Sequence, residues 1–157
     1  MSKIREKAIQ GFKVGDAFTV IRQFSEEDTQ KFAAITCDYN PVHFDERFAG
    51  VKKFNGRICH GLLVASMITE IGGQIGWLAS GMNFRFKLPV YFGDTIECTL
   101  TITEIDPNCR AKAEAVYQNQ EGNTVLEAEL FGILPGLAAQ EVLKAMVAEG
   151  DPTNELR

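Results

Sequence analysis

The 157-residue sequence lacks several features that mark particular classes of protein. No apolar run approaches the roughly 18–20 residues of a membrane-spanning helix, so no transmembrane segment is predicted. The net charge of −5 argues against a general affinity for nucleic acid. The N-terminal segment MSKIREK carries charges, but no apolar stretch of a signal peptide follows it. We therefore expect a cytoplasmic protein that binds neither membrane nor nucleic acid.

Residues with special chemistry are also scarce. There are only two histidines, His43 and His60, and both fall in the same stretch of the chain. The four cysteines form no C-x-x-C pair and no zinc-binding spacing, which predicts buried thiols rather than a metal or redox site: Cys37, Cys59, Cys98 and Cys109.

The sequence does contain enough apolar residues, 45% of the total, for one hydrophobic core. No repeat or low-complexity segment is visible. We predict a single domain over residues 1–157, with a core at about 12–134 and a C-terminal helical extension at 136–149.

The first half of the chain predicts one strand and several helices. Residues 17–24 form the strand, and Ser25 caps a helix that runs to about Thr36. Pro41 prevents its continuation, and a short helical turn is expected at 45–49. Residues 61–75 are apolar on nearly every face, which predicts a long helix buried nearly all round.

The second half alternates between apolar and polar residues, which predicts an antiparallel meander of four strands. A buried helix and a sheet with one apolar face cover each other if the sheet curves around the helix. The predicted fold is therefore α+β: a hot-dog fold, with a curved antiparallel sheet wrapped around a long central helix and an extra C-terminal helix near 137–147.

Asp38 and His43 are the first candidates for chemistry. Pro41 fixes its own φ and keeps Asn40 extended, so the short link between the two residues is stiff. Such a link can hold a carboxylate and an imidazole around one water molecule, as general acid–base catalysis requires. The alternative is that Asp38 only caps a turn and His43 only packs.

His60 and Gly61 open the predicted central helix. The first N–H groups of a helix have no partner within it, so the Gly61 amide is a candidate donor to an oxygen that gains negative charge. A plain loop-to-helix entry explains the same residues. A metal site formed by Asp38, His43 and His60 is weakly indicated, since the histidines lack helical spacing, and we predict no metal.

The segment from Phe32 to Ala49, FAAITCDYNPVHFDERFA, resembles a family signature. Its Asp-x-Asn-Pro-aliphatic-His run, with an aromatic residue before it and a small residue six positions after the histidine, is similar to that of the (R)-specific enoyl-CoA hydratases (hydratase 2) of the MaoC-like dehydratase family. The later segments RICHGLLVAS, FKLPV and Gly93-Asp94 resemble the family too. The resemblance extends from about Phe12 to Leu134.

The resemblance implies that Asp38 and His43 are the catalytic pair and that the Gly61 amide is the oxyanion donor. It leaves open which of the pair acts as base. Cys37 stands where the family has glycine, and we expect it to narrow the pocket or alter chain-length preference. Supporting positions are assigned to Asn40, His60, Ser66 and Thr69.

The implied enzyme is a hydro-lyase that hydrates trans-2-enoyl-CoA to (R)-3-hydroxyacyl-CoA and catalyses the reverse dehydration. No cofactor is expected, because coenzyme A is part of the substrate. Candidate phosphate-binding residues, each also explained as a solvated surface charge, are Lys52, Lys53, Arg57, Arg85 and Lys87.

Three other functions stay open: a dehydratase acting on acyl carrier protein, a hot-dog thioesterase, and a non-catalytic acyl-CoA-binding module. An exposed sheet edge also predicts a homodimer or a higher homo-oligomer.

Overall fold

The computed structural model of the protein describes residues 2–151 and Thr153. The predicted domain range 1–157 also includes residues 1, 152 and 154–157, which lie outside the described residues. The helices are α1 (Lys3–Gln10), α2 (Glu26–Thr36), α3 (Glu46–Val51), α4 (Gly61–Ala65), α5 (Met67–Ile75) and α6 (Leu137–Ala148). The strands are β1 (Ala17–Gln23), β2 (Leu78–Phe86), β3 (Thr95–Ile105), β4 (Arg110–Gln118) and β5 (Thr124–Ile133). Within the described residues, no helix has both the length and the apolar character needed to cross a bilayer.

The predicted packing of a sheet around a helix is confirmed. The five strands form one antiparallel sheet in the order β1-β3-β4-β5-β2. Alternate residues of β3 point inward and are buried, as their period of two predicts. They share one hydrophobic core with Ile68, Ile71 and Ile75 of α5. This arrangement is the hot-dog fold.

The sheet differs from a simple meander, and that part of the prediction is wrong. Only β3, β4 and β5 follow one another as neighbours, while β2 crosses to the far edge and pairs with β5. An edge strand has one neighbour, and most residues of β2 are exposed. Met82 and Phe86, which belong to the apolar set of the predicted alternation, are among the exposed residues.

The central helix is divided, not continuous. α4 ends at Ala65 and α5 begins at Met67, with Ser66 between them at ψ −12°. The Ser66 hydroxyl donates to the Leu63 carbonyl at 2.6 Å, and side-chain bonds of this kind compete with the helical ladder. The segment is also not buried nearly all round as predicted, since Leu62 and Thr69 are exposed.

Two further features frame the core. α1, which the sequence did not predict, packs on α5 and α6 and contributes the buried Arg5, whose Nε lies 3.8 Å from the Asp151 carboxylate. The C-terminal helix is confirmed as α6, although none of its residues is fully buried. Trp77, between α5 and β2, lies on Gly132 of β5 so closely that any side chain at Gly132 would overlap the indole.

Candidate active site

The chain between α2 and α3 is shaped by local hydrogen bonds. Cys37 ends α2 in the left-handed conformation, with φ 59°. The Asn40 side-chain oxygen accepts from the Val42 N–H at 3.2 Å and caps a 3₁₀ turn at Pro41–His43. The Asp38 carboxylate accepts from the Asn40 N–H, also at 3.2 Å. Asn40 thus supports the turn that separates Asp38 from His43.

The two histidines are stacked against each other. Their ring centroids are 3.8 Å apart with an interplanar angle of 30°, and the residues are 7% and 1% exposed. His43 Nδ1 lies 2.8 Å from the Ile58 carbonyl. A carbonyl only accepts hydrogen bonds, so Nδ1 carries the proton of a neutral His43 and Nε2 keeps a lone pair.

His60 contacts the backbone of Asp38, next to the Asp38 carboxylate. Its Nε2 lies 2.9 Å from the Asp38 carbonyl oxygen and therefore donates to it. The same Nε2 is 3.8 Å from Asp38 Oδ2. One ligand-type atom from each of Asp38, His43 and His60 lies within 4.8 Å of the others. The structure thus brings together the three side chains selected from the sequence; the absence of a metal there stays a prediction.

The two members of the pair differ in their surroundings. The Asp38 side chain is 48% exposed and reaches solvent, whereas His43 is buried. Burial lowers the pKa of His43 below its ordinary value, and the neighbouring His60 acts in the same direction. The hydrogen bond to Ile58 and the charge of Asp38 oppose this shift. A neutral imidazole beside a carboxylate is a pair suited to proton transfer.

The pair borders a cavity of about 450 Å³. Asp38, His43, His60 and Gly61 lie in its wall, and most of the remaining lining is apolar. A mainly apolar cavity with a few convergent polar groups suits an apolar chain joined to a polar reacting group. The apolar lining includes Phe54, Ile58, Leu62, Val64, Phe86, Leu88, Val125 and Leu126.

Two assigned supporting hydroxyls bond to the helix backbone. Ser66 donates to Leu63, and Thr69 donates to the Ser66 carbonyl at 2.6 Å from an exposed position. Cys37 is exposed, and among the described residues it is not part of the cavity lining.

The candidate cations have different environments. Arg57 is held by Glu26 at 2.6 Å and by Glu46 at 3.0 Å. Arg85 lies in a groove on the outer face of the sheet, beside glutamates of β4 and β5. Lys87 lines the cavity while pairing with Glu127 at 3.1 Å.

The remaining two cations, Lys52 and Lys53, follow the last residue of α3. The Lys52 ammonium lies 5.5 Å from the centre of the Phe48 ring. Lys53 follows α3 with φ 65°. Of the five cations, Lys87 is the one that lines the cavity.

The profile of the MaoC like domain family matches residues 12–124. The chain belongs to the MaoC-like domain family. It is 30% identical over 130 residues to the (R)-specific enoyl-CoA hydratase of Rhodospirillum rubrum, covering 80% of this chain and 90% of that one. It is 33% identical over 131 residues to the mitochondrial 3-hydroxyacyl-[acyl-carrier-protein] dehydratase of Arabidopsis thaliana, covering 80% and 79%.

A solved MaoC-like relative has the same fold. The (R)-hydratase from A. caviae involved in PHA biosynthesis superposes with a TM-score of 0.75 at 30% identity, covering 80% of this chain and 99% of that one. The family and the fold expected from the sequence are thereby confirmed.

Two features of the site were not predicted from the sequence. The Ile58 carbonyl that fixes the His43 tautomer belongs to an irregular segment, which an isolated bridge to Tyr91 holds in place. Phe86 belongs to the apolar set of the predicted alternation, and the structure places it in the cavity lining beside Gly61. No sequence pattern indicated either contact.

Proposed function

We propose that this chain hydrates trans-2-enoyl-CoA to (R)-3-hydroxyacyl-CoA and catalyses the reverse dehydration. The class of enzyme, a hydro-lyase, follows from relatives named as hydratases and dehydratases. One observation carries the proposal: His43, with its Nε2 lone pair, and the Asp38 carboxylate meet at the polar wall of an apolar cavity.

In the proposed reaction, the Gly61 N–H donates to the thioester oxygen and polarises the C2–C3 double bond. Asp38 and His43 hold one water molecule beside C3. One of them takes a proton from the water as its oxygen attacks C3, and the other, in its protonated form, delivers a proton to C2. The proton taken from the water then passes to the second group, which restores the pair. The sum is the addition of one water across the double bond, and the reverse sequence eliminates it. No metal or redox cofactor takes part.

The phosphates of coenzyme A require cations at the cavity entrance. Lys87 is the leading candidate because it lines the cavity, and its partner Glu127 is not buried. Lys52, Lys53 and Arg85 come second, and Arg57 comes last because two glutamates already bind it.

We also propose a homodimer that pairs two β2 edges. Among the residues that the structure describes, β2 bonds to β5 on one side only, and exposed apolar residues lie along it, including Leu78 and Met82. Unpaired edges of this kind are normally covered by a second chain or by another element. Light scattering after gel filtration should give twice the chain mass, and a monomer at micromolar concentration would refute the dimer.

A dehydratase acting on acyl carrier protein is the second candidate, supported by the Arabidopsis thaliana relative. Coenzyme A and acyl carrier protein present the same acyl thioester to the cavity. Only contacts at the cavity entrance can therefore distinguish the two carriers. Turnover on the carrier protein that exceeds turnover on coenzyme A by more than tenfold would favour this function.

The deciding experiment mixes purified protein with trans-2-butenoyl-CoA and follows the loss of the conjugated absorption. We expect saturable hydration and a product of (R) configuration on chiral analysis. Release of free thiol would identify a thioesterase, and tight binding without turnover would identify a binding module. The (S) product would refute the assigned stereochemistry.

A further inference from the structure

The ring of Phe86 lies directly on Gly61. A Cβ built on Gly61 would stand 2.6 Å from Phe86 Cε1 and 3.0 Å from both Cδ1 and Cζ. Non-bonded carbons are normally about 3.5–4.0 Å apart, so Gly61 has no room for a side chain. The contact joins an aromatic ring to the residue whose amide is assigned to the thioester oxygen.

The backbone holds Phe86 at this place. Phe86 is the last residue of β2 and pairs with Leu126 of β5. Immediately after it, the N–H groups of Lys87 and Leu88 both donate to the Val125 carbonyl, at 2.9 and 3.2 Å. The residue is nevertheless 56% exposed, so its burial in the core does not account for the position of the ring.

The ring lies on the side of Gly61 on which an oxygen bound by its amide would lie. In a helix, each Cα–Cβ bond tilts toward the N-terminus, and the backbone N–H groups point the same way. Phe86 occupies the Cβ direction of Gly61, and an oxygen bound by the Gly61 amide occupies the N–H direction. The substrate carbon next to the thioester carbonyl is C2. Phe86 therefore borders the space around C2.

We propose that Phe86 determines the substrate class by excluding a substituent at C2, so that unbranched 2-enoyl thioesters react and 2-methyl-branched ones are rejected. This inference rests on the proposed function. Removal of the ring should admit the methyl group, and one methyl group in an apolar pocket changes kcat/KM by roughly 10–200-fold.

The test measures kcat/KM for three substrates: trans-2-butenoyl-CoA, its 2-methyl derivative, and trans-2-hexenoyl-CoA. Phe86→Ala should raise the ratio of branched to unbranched butenoyl substrate about tenfold or more. Phe86→Leu should raise it less. The preference between hexenoyl and butenoyl chains should change less than threefold, because the ring borders C2 and not the chain end.

Phe131→Ala is the matched control. Phe131 covers Gly81 in the same pair of strands, with a built Cβ 3.5 Å from its ring, but it does not line the cavity. The Phe131→Ala variant also removes a phenylalanine ring from the paired strands β2 and β5. It should leave the ratio of branched to unbranched substrate unchanged.

An unchanged ratio in folded Phe86→Ala would overturn the inference, as would a change in chain-length preference alone. If circular dichroism shows that Phe86→Ala does not fold, the same criterion, a changed ratio of branched to unbranched substrate, is applied to Phe86→Leu. Failure of the wild-type protein to hydrate any of the three substrates refutes the proposed function instead, so the two failures are distinct.

Discussion

Strand β3 and the segment from Cys37 to His60 obtain their conformations in different ways. In β3, alternate side chains are buried, and the pattern of neighbouring residues specifies this arrangement. In the site segment, His43 bonds to a carbonyl 15 residues away, and His60 bonds to one 22 residues away. Substitutions in β3 should therefore alter stability and spare the chemistry, while substitution of Asp38 in the segment should do the opposite.

The largest effect should come from Asp38→Asn. It removes the carboxylate of the proposed pair, so we expect kcat to fall about 10²–10⁴-fold. The side chain is half exposed, so the free energy of unfolding should change by less than about 0.5 kcal/mol. Hydration assays and urea unfolding measure the two quantities. Glu114→Gln, on the outer face of the sheet, is the charge-matched control; a near-normal rate in folded Asp38→Asn would remove the site assignment.

Leu100→Ala tests the other side of the comparison. Leu100 is buried in β3, and its truncation should cost about 2–5 kcal/mol of unfolding free energy. The rate per folded molecule should stay within about threefold of the wild type, measured well below the unfolding midpoint. A large loss of kcat in fully folded protein would show that the core and the site are coupled.

Tyr117→Phe examines a contact between the sheet and the divided helix. The buried Tyr117 hydroxyl donates to the Ala65 carbonyl at 2.8 Å, just before the break at Ser66. Without it the buried Ala65 carbonyl loses this donor, which should cost about 1–2 kcal/mol. Urea unfolding measures the loss. No change in stability would mean that Ala65 finds another donor.

The pH dependence of turnover should report on His43. As the base of the pair, His43 would need its neutral form, and burial lowers its pKa. The acid limb of kcat/KM should therefore lie below about 6.5, the ordinary value. Because folding lowers the pKa of His43, the folded state favours its neutral form. The stability that depends on this neutral form is fully present above about pH 6.5 and is lost as the pH falls through the lower pKa of the folded state. A limb centred above 6.5 would contradict this assignment.

The smallest effect is expected for Cys37→Gly. Cys37 holds φ 59°, a left-handed conformation that glycine adopts without steric cost. We expect a gain of about 0.5–1 kcal/mol in unfolding free energy, with little change in kcat because Cys37 lies outside the cavity lining. Cys37→Ala should show no such gain. Loss of stability in the glycine variant would mean that the thiol makes a favourable contact.

Much of the fold was predictable because its signals are local. The Ser25 cap began α2 as expected, and the alternation in β3 placed its residues correctly. The position of β2 beside β5 was not predictable, because period-two alternation indicates a strand but not its neighbour. α1 was missed because its burial depends on the far end of the chain, where Asp151 meets Arg5.

The candidate site was predictable in its residues but not in its geometry. The short link from Asp38 to His43 suggested a pair, and the turn capped by Asn40 agrees with that. The stacking of His43 on His60 joins separate elements through tertiary packing. No spacing rule encodes such a contact. The same holds for Phe86, whose place depends on which edge β2 occupies.

The single tryptophan gives this chain an optical reporter at a useful place. The indole of Trp77 lies on Gly132, between the end of α5 and the start of the edge strand β2. The last residue of that strand, Phe86, lines the cavity. Its emission comes from one site and needs no introduced label. A change at that edge, on substrate binding or on dissociation of the proposed dimer, should therefore appear as a shift in the Trp77 emission of the unmodified protein.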